Sequence, residues 1–265
     1  MKIGICGGTG RMGQMLIRQV RMTKGVDLVG VLQRPGSPLI GQDAGVMAGI
    51  GHIGVAMTGD PALVFAAADV VIDFTAPAAT ASHAILAGVH KTALIIGTTG
   101  IGPNEQVSID SAAHQTVIVQ APNMAVGVVL LSAAIEQVAR ALDSDWDIEI
   151  VEMHHRHKVD APSGTALYLG EAAARGRGVN LAEQSVRSRD GHTGPRVEGT
   201  IGFATLRGGD VVGEHTALFA GAGERIELTH KASSRDIFAA GAVRAALWTQ
   251  GKAPGKYSMR DVLGI

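Results

Sequence analysis

Close to the start of the chain a short apolar run, Lys2–Cys6, opens directly into Gly7-Gly8-Thr9-Gly10-Arg11-Met12-Gly13. Behind it Met12, Leu16, Gln19 and Val20 recur near a helical repeat. A strand that turns through glycines into a helix is the first half of a βαβ unit. It therefore commits the next strand to parallel pairing and the region to a parallel sheet. Gly8, Gly10 and Gly13 match G-x-G-x-x-G, and Gly7, Gly10 and Gly13 match G-x-x-G-x-x-G equally well. A glycine turn that binds nothing would carry the same residues, but the flanking strand and helix supply the context a dinucleotide fingerprint requires. Glycine lets the backbone turn tightly and brings its N–H groups close to a pyrophosphate, whose charge the helix N-terminus favours. Gly7, Gly8, Thr9, Gly10, Arg11 and Met12 are thus expected cofactor contacts, with Arg11 adding a direct charge.

The end of the next β-branched run, Val26–Leu32, tests which nucleotide fits. An acidic residue there would accept both hydroxyls of an NAD ribose. This chain has Gln33 followed by Arg34. An amide cannot accept from the diol with two carboxylate oxygens, whereas a guanidinium pairs well with a 2′-phosphate. NADPH is therefore expected to be preferred over NADH. Two further strand ends, Gly97-Thr98-Thr99-Gly100 and Ala121-Pro122-Asn123-Met124, lie where ligands of open α/β sheets sit.

Short apolar strands alternate with helical stretches up to residue 120. Strands are expected at 55–58, 70–74, 94–96 and 117–119, and helices at 61–68 (capped by Asp60), 76–89 and 104–115. This predicts a Rossmann-like parallel sheet covered on both faces. After Asn123 the pattern changes. A long apolar helix at 125–142 precedes a strand at 147–151, a helix at 163–174 capped by Ser163, and strand-like runs at 200–206, 211–219 and 225–230 separated by glycines. These predict a second α+β domain with a mixed or antiparallel sheet. Residues 1–123, with a C-terminal helix within about 235–265, should form a dinucleotide-binding domain, and 124–234 a substrate-binding and oligomerisation domain.

Composition narrows the function classes. Hydrophobic residues make up 46% and charged residues 18%, enough apolar material for a sizeable core. A formal charge of −1 argues against a nucleic-acid or anionic membrane surface. Cys6 is the only cysteine, so no disulfide forms within the chain, as expected in a reducing cytoplasm. Within its apolar strand it reads as core. No secretory leader or membrane span is expected.

The most concentrated chemistry lies at 152–165, Glu-Met-His-His-Arg-His-Lys-Val-Asp-Ala-Pro-Ser-Gly-Thr. His154 to Lys158 can all carry positive charge, which is costly unless solvated or facing an anion. A plain basic loop would not need the adjoining Pro-Ser-Gly-Thr turn. A metal site would need neutral imidazoles, and Arg156 and Lys158 repel a cation. The third reading is a catalytic loop for an anionic substrate. Lys158 supplies a point charge, Gly164 and Thr165 open a helix toward a carboxylate, and a histidine supplies a proton near neutral pH.

The segment EMHHRHKVDAPSGTA at 152–166 resembles the signature of the 4-hydroxy-tetrahydrodipicolinate reductase family. The resemblance extends to GxxGRMG at 7–13, GSPLIGQDAG at 36–45, DFT at 73–75, GTTG at 97–100, APNM at 121–124, GEHTALF at 213–219 and the run at 223–248. It implies NAD(P)H-dependent reduction of a cyclic hydroxy-imine dicarboxylate to tetrahydrodipicolinate with loss of water, by a cytoplasmic homotetramer of lysine and diaminopimelate biosynthesis. Carried over by motif, His154 is a proton donor, and Lys158 a proton donor and substrate contact. His155, Gly164, Thr165 and Thr99 contact substrate. Gly7 to Met12, Gly97 to Thr99 and Ala121, Pro122, Asn123 and Met124 contact the nucleotide. A planar pyridine dicarboxylate is expected to bind, and closure of the domains over cofactor is expected. Gln33 departs from the Glu-Arg that the family commonly has after the second strand. Two other readings are a reductase of another small anionic imine or enone, and a non-catalytic NADP sensor. The intact His154 and Lys158 weigh against both.

Overall fold

The computed structural model describes residues 1–265, which separate into two compact units, Met1–Val126 with Asp236–Ile265, and Gly127–Arg235.

The first unit is built on one parallel sheet. Its elements in chain order are β1 (Lys2–Cys6), α1 (Arg11–Met22), β2 (Asp27–Leu32), α2 (Ala44–Met47), β3 (Met57–Thr58), α3 (Pro61–Ala67), β4 (Val70–Asp73), α4 (Pro77–His90), β5 (Ala93–Ile96), α5 (Pro103–Ala113) and β6 (Val117–Gln120). Strands β4 and β5 are buried along their whole length, which is why they read as continuous apolar runs rather than alternating ones. Asp60 caps α3 through the Ala62 N–H, and Pro61 occupies its first turn, where a missing N–H costs nothing. The glycine-rich stretch after β2 is held by one side chain. Asp43 accepts hydrogen bonds from the backbone of Gly45, Val46, Ile53, Gly54 and Val55, so a loop with little periodicity still has one shape.

The sheet order places β1 between β4 and β2. The chain runs outward from β1 through β2 and β3, then returns to build β4, β5 and β6 on the other side. The strand order thus reverses beside β1, and the glycine turn leaves β1 at that crevice.

The second unit begins within α6 (Val126–Ala141) and contains β7 (Asp147–His154), α7 (Gly164–Arg177), α8 (Leu181–Gln184), β8 (Ser185–Val186), β9 (Ile201–Arg207), β10 (Gly213–Gly221) and β11 (Glu224–Ala232). The sheet order is β11-β10-β7-β9-β8. Pairing is antiparallel across β11, β10 and β7 and parallel across β7, β9 and β8, which makes the sheet mixed. Its inner face buries Ile148, Ile150, Ile201, Phe203, Ala217 and Phe219 against Leu131 and Ile135 of α6 and Leu169 and Ala173 of α7. Gly170 is glycine because any Cβ there would strike the Phe203 ring.

Two sequence expectations need correction. The strand expected at 147–151 continues to His154, so the first catalytic candidate is the last strand residue and not a loop residue. The final helix expected at 235–249 is present, but the region assigned to a C-terminal helix through about 265 holds more than that helix. Helix α9 (Asp236–Trp248) is followed by β12 (Gly255–Tyr257), which pairs parallel to β6, and by α10 (Met259–Leu263), capped by Ser258 and Asp261. Gly255–Tyr257 is too short and polar to declare itself a strand. Only the open edge of β6 makes it one. Helix α9 packs against α1 within the first unit.

Candidate active site

The glycine turn has the geometry its sequence requires. Gly7 has φ +78°, a region that L side chains rarely enter. A Cβ at Gly13 would collide with the backbone of Gly7 and Gly8, so glycine lets α1 start hard against the end of β1. Gly10 is the N-cap of α1 and offers no side-chain cap. The first-turn N–H groups are therefore not taken by a capping side chain, which suits a pyrophosphate. Arg11 is exposed at this turn. At the end of β2, Gln33 turns inward and donates from Nε2 to Thr9 Oγ1 at 2.8 Å, while Arg34 is exposed. The residues fit a dinucleotide, and the positions after β2 hold Gln33 and Arg34 rather than a carboxylate.

Two of the strand-end motifs interlock. A Cβ at Gly97 would overlap the Phe74 ring, so GTTG and DFT are one packing unit. Thr98 Oγ1 accepts from the Thr75 N–H at 3.0 Å and from Thr80 Oγ1 at 2.8 Å. Beneath them Asp73 is wholly buried, contacted by His83 Nδ1 at 2.8 Å and by the Thr75 hydroxyl at 2.6 Å. A cavity of about 440 Å³ joins Thr98, Thr99, Ala121 and Pro122 to Lys256, Tyr257 and Ser258. These three C-terminal residues were not legible as site residues, because the strand that presents them was not. Asn123 Oδ1 accepts from the Ala125 N–H, and the Met124 carbonyl lies where a Cβ at Gly241 of α9 would sit.

The second unit assembles the acid–base candidates. Strand alternation sends Ile148, Ile150, Glu152 and His154 of β7 to the inner face. The last two are therefore polar residues in core positions. His154 Nδ1 lies 2.6 Å from Glu152 Oε2. Glu152, 1% exposed, also accepts from Arg207 Nη1 at 2.7 Å, from Arg207 Nη2 at 2.9 Å and from the Ser163 N–H at 3.0 Å. Burial raises the Glu152 pKa, but the hydrogen bonds from Arg207, His154 and Ser163 outweigh it and hold the carboxyl below the ordinary glutamate range. Burial is also the main influence on His154. With Lys158 and Arg207 nearby it lowers the imidazole pKa, against the opposing pull of Glu152. His154 Nε2 faces the start of β10, 3.0 Å from where a Cβ at Gly213 would lie.

His215 of β10 stacks edge-on to His154, with ring centroids 5.0 Å apart, and its Nε2 lies 3.1 Å from Ser163 Oγ. Ser163 Oγ accepts from the Ala166 N–H as the cap of α7, so its own proton points to His215. Burial and the neighbouring His154 push His215 down to about 4. Gly164 and Thr165 open α7. A Cβ at Gly164 would meet no atom of the protein, so packing gives no reason for glycine there.

The basic run does not act as a uniform cation. His154 is buried on Glu152, whereas Arg156 and His157 are exposed. His155 Nε2 accepts from Arg235 at 3.0 Å, and burial followed by the Arg235 charge lowers its pKa. Lys158 Nζ pairs with Asp160 at 2.8 Å. No three His, Cys, Asp or Glu side chains group to hold a metal ion. Thr99 belongs to the first unit, and His154, His155, Lys158, Gly164 and Thr165 to the second. Sequence reasoning gave no role to Glu152, Arg207, His215 or Arg235. The period-two alternation through Glu152 and His154 was the available signal for the first of these.

Residues 1–124 match the family model described as "Dihydrodipicolinate reductase, N-terminus", and residues 127–263 the one for its C-terminus. A 4-hydroxy-tetrahydrodipicolinate reductase of Chelativorans sp. (strain BNC1) is 58% identical over 266 residues, covering 100% of this chain and 96% of its own. One from Brucella abortus (strain 2308) is 56% identical, covering 100% of this chain and 99% of its own. A dipicolinate-bound dihydrodipicolinate reductase from Paenisporosarcina sp. TG-14 superposes with a TM-score of 0.78 at 23% identity, covering 97% of each chain, and so shares the fold. Matched by family models in both units and by full-length relatives, the chain belongs to the dihydrodipicolinate reductase family.

Proposed function

We propose that this chain reduces 4-hydroxy-tetrahydrodipicolinate to tetrahydrodipicolinate in lysine and diaminopimelate biosynthesis, consuming a hydride and a proton and releasing water. The observation that carries this reading is the His154–Glu152 pair, set in the same unit as the Lys158 cation and the Gly164–Thr165 helix start. Full-length relatives of this chain bear the name of that activity.

The substrate is a dianion, and the second unit offers complementary groups. Lys158 supplies an ammonium, the α7 N-terminus a backbone site for one carboxylate, and His155 a further donor. The open space beside Gly164 lets a carboxylate approach the backbone closely. Thr99 is the substrate contact proposed from the first unit. A bound nicotinamide supplies the hydride. The turn from Gly7 to Met12, Gly97 to Thr99 and Ala121 to Met124 would hold it, and Gln33 and Arg34 would flank the adenosine ribose.

Loss of the 4-hydroxyl with a neighbouring proton, as water, leaves a conjugated imine; hydride addition to it pushes an electron pair onto the substrate, and one proton must quench it. Burial lowers the His154 pKa, and the Glu152 carboxylate on Nδ1 leaves Nε2 as the free ring nitrogen. An arriving dianion raises its proton affinity, so Nε2 takes a proton on binding and yields it as the charge develops. Lys158 is the second proposed donor. Exposed Arg34, with inward-turned Gln33, supports NADPH over NADH.

A homotetramer built through the five-stranded sheet completes the reading. Helices α6 and α7 cover one face of that sheet, while the other leaves Leu206 50% exposed beside Ala204, Val151 and Met153. No helix is long and apolar enough to cross a membrane. A lone buried cysteine supports a cytoplasmic setting.

The deciding experiment monitors nicotinamide absorbance with purified protein and either cofactor, the substrate being generated in place from pyruvate and aspartate semialdehyde by a synthase. Oxidation that requires both protein and substrate is expected, faster with NADPH. Folded, nucleotide-binding protein that oxidises neither cofactor would sink the reading. Sedimentation velocity tests the tetramer.

A further inference from the structure

We infer that Glu152 and Arg207 are positioning residues for the proton transfer: Arg207 clamps Glu152, and Glu152 pins His154 Nδ1 so that Nε2 is the nitrogen that meets substrate. The inference rests on the reading of His154 as the proton donor.

The position of Glu152 makes it conspicuous. On the inner face of β7 it comes after Ile148 and Ile150, where strand alternation calls for another aliphatic side chain. A carboxylate in such a place is stabilised only if paired and fully hydrogen-bonded, and a well-packed apolar residue would serve stability as well or better. Glu152 meets the first condition completely. Oε2 accepts from His154 Nδ1 and Arg207 Nη1, and Oε1 accepts from Arg207 Nη2 and the Ser163 N–H. Each oxygen thus receives two donors, the full capacity of a carboxylate.

The imidazole is constrained in two ways. A carboxylate only accepts, so the His154 nitrogen facing it carries the proton and Nε2 is left as the exchanging atom. The ring is also fixed in orientation, because the 2.6 Å contact and the edge-on ring of His215 restrain it from two sides. Arg207 reaches further. Besides gripping Glu152 it donates to the Asp160 carbonyl at 2.7 Å, so one guanidinium ties the end of β9 to the loop that carries Lys158. Ser163, whose N–H completes the Glu152 shell, is the cap of α7. A single buried carboxylate thereby sets the register of the imidazole, the ammonium loop and the carboxylate-facing helix start. The charged and titratable groups facing His154 are Glu152 on β7, Lys158 in the loop after it, Arg207 on β9 and His215 on β10.

The test combines a measurement on the unaltered protein with three variants. Imidazole ¹⁵N NMR, with the His154 signals assigned by their loss in H154Q, should show the Nδ1–H tautomer in the unliganded enzyme. E152Q should lose kcat on the order of 10²- to 10⁴-fold, with KM changed far less and the pH profile displaced. R207K, which keeps the charge and loses the fork, should fall between E152Q and the unaltered enzyme. An Nε2–H tautomer at His154 would overturn the proposal even if E152Q does not fold. So would an E152Q enzyme with full kcat and an unmoved pH profile beside an inactive H154Q. Undiminished turnover by H154Q would instead remove the proton-donor reading beneath it.

Discussion

Gln33 Nε2 donates to Thr9 Oγ1 across 2.8 Å, joining the end of β2 to the glycine turn after β1. The amide is spent on the turn itself, and the next residue, Arg34, is exposed. In the proposed nucleotide site, replacing Gln33 with Glu would put two acceptor oxygens near the ribose and an anion near a 2′-phosphate. Q33E is expected to move the NADH-to-NADPH ratio of kcat/KM toward NADH by about 10- to 100-fold, the scale of one charge-assisted contact. An unchanged ratio would mean that the end of β2 does not read the 2′ position.

Packing of Phe74 on Gly97 gives a second prediction. G97A forces a methyl into the ring and should cost about 1–3 kcal/mol in urea unfolding, together with a weakened nucleotide Kd. Adding F74L should recover much of the stability, because the clash is pairwise. If G97A is as stable as the parent, the contact is softer than the geometry implies.

Lys158 should matter far more than its ion-pair partner. K158A is expected to lower kcat/KM by on the order of 10²- to 10⁴-fold while nucleotide affinity is unchanged. D160N removes only an exposed pair, worth about 1 kcal/mol or less, so its effect should stay within about fivefold. Equal losses in the two variants would recast Lys158 as a structural cation.

Stability should fall on mild acidification. Burial lowers His154, His155, His215 and His230 below the ordinary histidine value of 6.5, with His215 at about 4. Between those values the unfolded chain binds protons that the folded chain refuses, so stability drops as pH falls from about 6.5 toward 4 and is insensitive to these groups above it. His215 alone contributes a slope of up to about 1.4 kcal/mol per pH unit. Urea midpoints measured from pH 7 to 4.5 check this, and H215N should flatten the curve. A midpoint that rises on acidification would contradict the lowered histidine pKa values.

Inhibition by pyridine-2,6-dicarboxylate tests the dianion site. It should compete with substrate and lose affinity in K158A, since both carboxylates need the cation and the helix start. Inhibition unaffected by K158A would place the dianion elsewhere.

Local chemistry wrote much of this protein into its sequence. The glycine turn, the buried strands at 70–73 and 93–96 and the caps Asp60 and Ser163 depend on near neighbours in the chain, and period and residue type suffice to read them. The basic run and the Ser-Gly-Thr helix start were legible for the same reason. What the sequence could not state is which distant groups meet. Arg207 reaches Glu152 across 55 positions, His215 reaches Ser163 across 52 and Arg235 reaches His155 across 80. Gly255–Tyr257 becomes a strand only because β6 offers an open edge, with no period of its own to announce it. Sequence determines which side chains are chemically able to hold and move a proton. Only the paired strands β7, β9 and β10 decide that one carboxylate is stripped of water, and that it is surrounded by donors and turned onto a single nitrogen of His154.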